Sequence, residues 1–302
     1  MPPSEPPGTI TIIGGINTDL VIFADRMPDA GETLFARDFA QLPGGKGANQ
    51  AVSAARLGGH VEMVGRVGDD AFGRDALAAL TAAGVGVDHV RTSPGASGIA
   101  TILVDADGEN RILVVAGANA RVLPEDVDPA LLAASALVVL QLEIPTETVY
   151  AVIAAATAPV LLNPAPAMTL DMARLRGLAF LVVNRNELAV VSGRPVARTD
   201  DIVAAGRALV RQGVGTVIAT LGPDGAILVT ASRVAHVEAP VTTAIDTTGA
   251  GDAFVGCFAQ TFVATGDVDA ALARAVRYAS LSVTRRGAQA SYLDAATFEA
   301  SR

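Results

Sequence analysis

Short β-branched and apolar runs alternate along the chain with longer stretches whose apolar residues recur every third or fourth position. The runs at 9–14, 61–64, 136–141, 160–162, 180–183, 216–220 and 226–230 read as strands. Between them, 47–57, 70–83, 147–156, 200–212 and 252–263 read as helices. The 3.6-residue spacing is plainest in Ile202, Ala205, Leu209 and Val210. This alternation predicts an α/β fold, a mostly parallel central sheet with helices on both faces in a three-layer α/β/α sandwich. Ligands of such sheets bind outside the carboxyl ends of the strands.

Two regions break the rhythm. Residues 19–42 hold no convincing helix and carry Pro and Gly turns between strand-like pieces at 20–23 and 34–39. Residues 98–104 and 111–115 predict a hairpin around Asp105-Ala106-Asp107-Gly108. Strands without helices of their own need something to cover or to pair with. Both regions therefore read as one small β-sheet lid, 19–42 and 98–115, set into a body made of 9–18, 43–97 and 116–302. Residues 1–8, MPPSEPPG, predict a frayed tail; they lack the basic and apolar regions of a signal peptide.

Composition narrows the partners. At 302 residues, 51% of them hydrophobic but only 4% aromatic, the chain has the small apolar side chains that tight helix-on-sheet packing needs. A net charge of −9 argues against nucleic acid or an anionic membrane as the main partner. It leaves phosphate ligands open, because their sites are built from local N–H groups and a few cations. Cys257 is the only cysteine, so no intrachain disulfide forms, as expected of a cytoplasmic protein, and its reading is a small buried hydrophobe. The most apolar windows, 131–142 and 149–162, are interrupted well short of the roughly 18 apolar residues a membrane helix requires. His60, His89 and His236 are dispersed and suggest no zinc site.

The most informative stretch is Asp246-Thr247-Thr248-Gly249-Ala250-Gly251-Asp252, a glycine-rich turn running into a helix. Small residues there let the N–H groups of the helix start converge on an anion, and the aligned peptide dipoles favour negative charge. A carboxylate at Asp252 would face that anion at a cost unless it has work to do, such as taking a proton from a hydroxyl that attacks a phosphate. Gly44-Gly45-Lys46-Gly47-Ala48-Asn49 also opens a helix, but Lys46 is followed by Gly47, so it is not a Walker A loop. Its glycines allow a polyol to approach the backbone, and Lys46 and Asn49 offer donors. Asn17-Thr18-Asp19 follows the first strand and suits vicinal hydroxyls, or is simply a turn. Glu143, just past the 136–141 strand, is either a ligand to a hydroxyl or a solvated charge. Asn184 and Glu187 either hold phosphate oxygens and the water shell of Mg²⁺ or cap a helix. Thr220-Leu221-Gly222-Pro223-Asp224-Gly225 makes a tight turn that could pass under a nucleotide.

Taken together, GGINTD, GGKGANQA, QLE, NPAPA, the Asn184–Glu187 motif, DTTGAGDAF and VTRRGAQAS resemble, in order and spacing from Thr9 to Asp294, the ribokinase-like (phosphofructokinase B-type) sugar kinase family. The resemblance implies ATP-dependent phosphorylation of a sugar hydroxymethyl group under a β-sheet lid. It implies that Asn17, Asp19, Gly45, Lys46, Asn49, Glu143 and Asp252 meet the sugar, with Asp252 the base and Gly249, Ala250 and Gly251 the anion hole. Asn184, Thr220, Gly222, Gly225, Gly251 and Val276 are implied at ATP, and Glu187 organises Mg²⁺ through water. A K⁺ ion is implied beside the anion hole at Asp246, Thr248, Ser282, Arg285, Gly287 and Ser291, several through backbone carbonyls. Val276 stands where some members carry a polar residue, so the chemistry is better defined than the base preference.

The expected acceptor is the 5-hydroxyl of D-ribose. The alternatives are another pentose, a ketohexose or a nucleoside, though few aromatics are available to build a nucleoside pocket. A reading from another class, a sugar-binding protein without catalysis, is opposed by the intact Asp252, its glycines and Glu187. The lid cannot bury the apolar residues of both its faces, among them Leu20, Ile22, Phe23, Ile102, Leu103 and Ile112, so a homodimer joined lid to lid is expected.

Overall fold

The computed structural model describes residues 8–301, so the expected tail lies, Gly8 apart, outside the described residues. The chain begins with β1 (Thr9–Ile13), β2 (Asn17–Phe23), β3 (Asp38–Gly44), α1 (Lys46–Arg56), β4 (His60–Gly68), α2 (Ala71–Ala82), β5 (Val90–Ser93), β6 (Gly98–Val104) and β7 (Asn110–Val115). It continues through α3 (Pro129–Ala134), β8 (Ser135–Leu140), α4 (Thr146–Ala155), β9 (Val160–Leu162), β10 (Phe180–Asn184), α5 (Arg185–Ser192) and α6 (Thr199–Arg211). The last elements are β11 (Thr216–Thr220), β12 (Ala226–Val229), β13 (Val234–Val237), α7 (Ala250–Thr265), α8 (Val268–Ser282) and α9 (Ala295–Ala300).

Nine strands form the body sheet in the order β13-β12-β11-β10-β9-β8-β1-β4-β5. All pairs from β11 to β5 are parallel, and β12 and β13 add an antiparallel edge. Side chains alternate between two cores. Leu137 and Val139 of β8 pack on the side of α1, α2, α7 and α8, whereas Val138 and Leu140 pack on the side of α4, α5 and α6. Each fully buried Leu or Val stabilises the sandwich by roughly 1.5–3 kcal/mol of transfer free energy. The expected three-layer α/β/α sandwich is therefore the fold observed. Among the described residues no helix is long and apolar enough to cross a membrane.

A second sheet of four strands, ordered β3-β2-β6-β7, forms the lid. β2 and β6 pair in parallel and the outer pairs are antiparallel. The second lid strand lies later than the expected 34–39. β2 pairs with β3 from Phe23 opposite Asp38 to Asn17 opposite Gly44, and Phe35 is left 93% exposed in the connection. Cross-strand register outweighed the local apolar pattern. Because β2 starts at Asn17 and β3 ends at Gly44, the lid strands run directly into the cleft at the carboxyl end of β1.

Candidate active site

The catalytic geometry begins with two helices held unusually close. A Cβ on Gly256 would lie 2.5 Å from the carbonyl oxygen of Gln50 and 2.5 Å from Ser53 Cβ, so only glycine lets α7 approach α1 this nearly. Ser53 Oγ then donates to the carbonyl of Ala253 (3.0 Å). One turn toward the start of both helices, this contact brings Asn49 and Gln50 against Asp252. Asn49 Nδ2 donates to Asp252 Oδ2 (3.0 Å) and Gln50 Nε2 to Asp252 Oδ1 (2.9 Å). The carboxylate is 6% exposed, with both oxygens oriented by amides.

Asp252 sits in the first turn of α7, whose N-cap Gly249 has φ 74°, in the left-handed region that favours glycine. The N–H groups of a first helical turn have no intrahelical partner and carry the positive end of the helix dipole. Gly249, Ala250, Gly251 and Asp252 line a cleft of about 190 Å³ together with Lys46, Asn184 and Glu187. Through Thr220, Thr247, Ala250 and Gly251 this cleft adjoins a cavity of about 410 Å³ whose further lining includes Gly222, Gly225, Phe254 and Val276. The larger cavity is mostly apolar and the smaller one polar, as a flat base and its phosphates would require.

On the other side of Asp252 lies the mouth of the lid. Gly45 has φ 89°, and a Cβ there would lie 2.6 Å from the N of Asn17 and 2.7 Å from the carbonyl of Gly15. That tight crossing brings Lys46 to the end of β1, where its N–H donates to Glu143 Oε2 (2.7 Å). Asn17 is 3% exposed and its Oδ1 accepts from Asn119 Nδ2 (2.7 Å), which leaves the Asn17 amide N–H₂ as a donor. Asp19 packs on the Gly44 backbone.

Lys46 is the only lysine of the chain, among twenty-one arginines. Asp252, Glu143, Glu187 and Asp19 hold its ammonium charged and raise its pKa, Asp252 most strongly, against the cost of burial. Burial, reinforced by the charge of Asp252, pushes Asp19 up to about 6. Burial likewise pushes Glu143 up to about 7, opposed by Lys46 and its backbone N–H. A compact ammonium ringed by carboxylates is a site for hydroxyl groups, which both donate and accept.

Asn184 and Glu187 do cap α5. Asn184 Oδ1 accepts from the Glu187 N–H (2.9 Å), and Glu187 Oε2 accepts from the Asn184 N–H (2.9 Å). The same residues line the polar cleft, so capping and cleft lining coexist; burial raises the pKa of Glu187. Behind the turn, Asp246 ties two loops together: its Oδ1 accepts from the Thr248 N–H (2.9 Å) and its Oδ2 from the Gly287 N–H (2.8 Å). The Ser282 carbonyl accepts from the Arg285 N–H (3.2 Å), and Ser291 N donates to the carbonyl of Ala288 (3.0 Å). Asp246 thus fixes the turn before α7 to the 285–291 loop through two backbone N–H groups.

The structure brings four further polar residues to the site: Gln50, Asn163, Gln141 and Gln289. Gln289 Nε2 donates to Asn49 Oδ1 (3.0 Å) and Gln141 Nε2 to Gln50 Oε1 (2.6 Å). Gln50, Gln141, Asn163 and Gln289 lie inside GGKGANQA, QLE, NPAPA and VTRRGAQAS. Their motifs were visible, but an uncharged amide gives no signal until its partner is known.

A buried carboxylate oriented by two amides at the start of a helix, next to a polar cleft, is an arrangement able to activate an alcohol toward a phosphoryl group. The chain belongs to the pfkB family of carbohydrate kinases, which it matches over residues 8–296. It is 45% identical to the deoxyribokinase of Salmonella typhimurium over 290 residues, 94% of this chain and 95% of that one. It is 39% identical to the ribokinase of Bacillus subtilis, with 93% and 94% covered. The structure of Arabidopsis thaliana ribokinase complexed with ribose and ATP superimposes with a TM-score of 0.89 at 32% identity, covering 98% of each chain.

Proposed function

We propose that the protein transfers the γ-phosphoryl group of ATP to the 5-hydroxyl of D-ribose. The observation that carries this reading is the Asp252 carboxylate, oriented by Asn49 and Gln50 between the polar lid mouth and the anion-binding turn. In this reading Asp252 takes the proton of the attacking hydroxyl. Asn17, Asp19, Lys46 and Glu143 hold the other hydroxyls, and Gly45 gives the sugar access to the backbone. The N–H groups of the 249–251 turn face the charge that develops on the transferred group. Thr220, Gly222, Gly225 and Val276 bound the nucleotide pocket, and Asn184 lines the phosphate cleft. Glu187 would orient the water shell of Mg²⁺, which supplies neutralisation of phosphate charge when bound. Residues 19–42 and 98–115 act as the lid that keeps competing water away from the phosphoryl group.

A second reading has its own support, since the 45% relative is a deoxyribokinase. The two acceptors differ by the 2-hydroxyl. A site built to hydrogen-bond a hydroxyl leaves buried polar groups unpaired when the hydroxyl is missing. In this reading Asn17 and Asp19 hold the 2-hydroxyl at the lid mouth, so D-ribose is expected to exceed 2-deoxy-D-ribose in kcat/KM by about tenfold or more. ADP release measured over pentoses, ketohexoses and nucleosides tests this. A reversed ratio makes the protein a deoxyribokinase, and turnover with neither pentose removes both readings.

Asp246, with backbone carbonyls of the Thr248 turn and the 285–291 loop, is proposed to take K⁺ and so hold the Thr247–Gly249 turn in position. Activity is expected to rise with K⁺ more than with Na⁺, and Asp246→Ala is expected to abolish that difference. Equal rates in K⁺-free buffer would contradict the assignment. We also propose a homodimer through the lid, because Phe39, Ile112, Leu113, Val114 and Val115 are each more than half exposed there. Leu113→Glu is expected to weaken both dimerisation in light scattering and sugar affinity; a fully active monomer at micromolar concentration would rule the arrangement out.

A further inference from the structure

Behind the base runs a line of amides that ends in an unsatisfied atom. A carboxylate only accepts hydrogen bonds, so the group facing Asp252 Oδ1 is the donor Nε2 of Gln50 (2.9 Å). The same Nε2 reaches Asn163 Oδ1 (3.2 Å), which uses the second of its two hydrogens. Gln50 Oε1 is then left facing inward, where Gln141 Nε2 donates to it (2.6 Å). Gln141 Oε1, in turn, is buried with no partner among the described residues and lies against Gly14, where a Cβ would overlap it. Gln50 and Gln141 are both completely buried.

A buried amide oxygen without a partner costs stability. Turning Gln141 about would merely exchange that deficit for two amide oxygens facing each other, and turning both would point an oxygen at the Asp252 carboxylate. Each amide is therefore oriented by its neighbour, and the direction of the whole line is set at Asp252. Asn163 links it sideways to the cleft: its Nδ2 donates to the Val182 carbonyl (3.0 Å) and lies 3.4 Å from Glu187 Oε2.

We propose that Gln50 is a positioning residue for the base, and that Gln141 acts through it by fixing the orientation of its amide. Gln50 holds Asp252 Oδ1, leaving Oδ2 and its other lone pairs to meet the acceptor hydroxyl. The inference rests on the kinase reading above.

The test measures kcat and the KM values for ATP and D-ribose, or 2-deoxy-D-ribose if that is the better acceptor, in Gln50→Met, Gln141→Met and the double variant. Active wild-type protein under the same conditions separates failure of this inference from failure of the kinase reading. Loss of a hydrogen bond to a charged group predicts a fall in kcat of about 10- to 100-fold for Gln50→Met, with both KM values within about twofold of wild type. Gln141→Met should lose less, and the double variant no more than Gln50→Met, because the second amide has nothing left to orient. Melting temperatures of the same variants separate a loss of stability from a loss of rate, and only the rates report positioning. A folded Gln50→Met with wild-type kcat, or losses that multiply in the double variant, overturns the proposal. Should Gln50→Met not fold, Gln50→Glu carries the test. It preserves size but sets a second carboxylate against Asp252, and unchanged kcat at neutral pH would overturn the proposal equally.

Discussion

Asp252→Asn is expected to lower kcat by about 10²–10⁴, the usual cost of removing a general base. The replacement keeps the size of the side chain but accepts no proton at neutral pH. It is not a silent isostere here, because both carboxylate oxygens receive amide N–H groups, from Asn49 and from Gln50. An Asn at 252 must point its own N–H₂ at one of those donors. Relief would require Asn49 to turn, yet Asn49 Oδ1 is held by Gln289 Nε2 (3.0 Å). A loss of stability of about 1–3 kcal/mol should therefore accompany the loss of rate. Sugar affinity, carried by several other groups, should change far less than kcat. Steady-state kinetics with isothermal titration of the sugar measures both, and near-normal turnover would place the base elsewhere.

The sandwich was legible because its signal is local: β-branched runs at 136–141 or 216–220 and the Ile202, Ala205, Leu209 spacing declare strand and helix without knowledge of the fold. Elements whose signal is weaker were not separated. α8 opens at Asp267, whose side chain accepts from the Asp269 and Ala270 N–H groups, a cap readable in the sequence. Its buried positions Ala271, Leu272, Ala275 and Val276 also recur at helical spacing, so this helix was legible too. β5 and β13 are short edge strands with exposed residues, so their pairing and not their pattern defines them.

The site shows the same division. Charged residues and glycines announced themselves through motifs, and the structure gathers Asp19, Glu143, Glu187 and Asp252 around Lys46, close enough that each enters its electrostatics. Asn184 and Glu187 illustrate why a choice between capping and ligand binding could not be made from spacing: the capping box places the Glu187 carboxylate at the cleft. The amides came last, since Gln50 is separated from Asp252 by 202 residues and from Gln141 by 91. Nothing short of the α1–α7 contact reveals that they meet.

Two glycines in the same turn should respond in opposite ways. Gly249 has φ 74°, and a Cβ there would lie 2.6 Å from Ala288 Cβ, 2.7 Å from the Tyr292 hydroxyl and 2.9 Å from Ala288 Cα. None of these is the free end of a flexible chain. Tyr292 is anchored by its own hydroxyl donating to the Gly249 carbonyl (2.9 Å), and Arg56 Nη1 holds the carbonyls of Gln289 and Tyr292 (2.7 Å each). Gly249→Ala must therefore displace the turn itself, on top of a backbone strain of about 1–2 kcal/mol for a left-handed residue. Since the turn aims the first N–H groups of α7, kcat is expected to fall by about 10²–10³, as when a donor to developing charge is lost. Gly251 has no such constraint: nothing lies within 4 Å of an added Cβ. Gly251→Ala should fold as wild type, and its methyl group, entering the space that both cavities share, should raise the KM for ATP with a smaller effect on kcat. Thermal melts and ATP-dependent kinetics on the pair decide the matter. Equal behaviour of the two variants would mean that the left-handed geometry at Gly249 contributes nothing beyond the space above the turn.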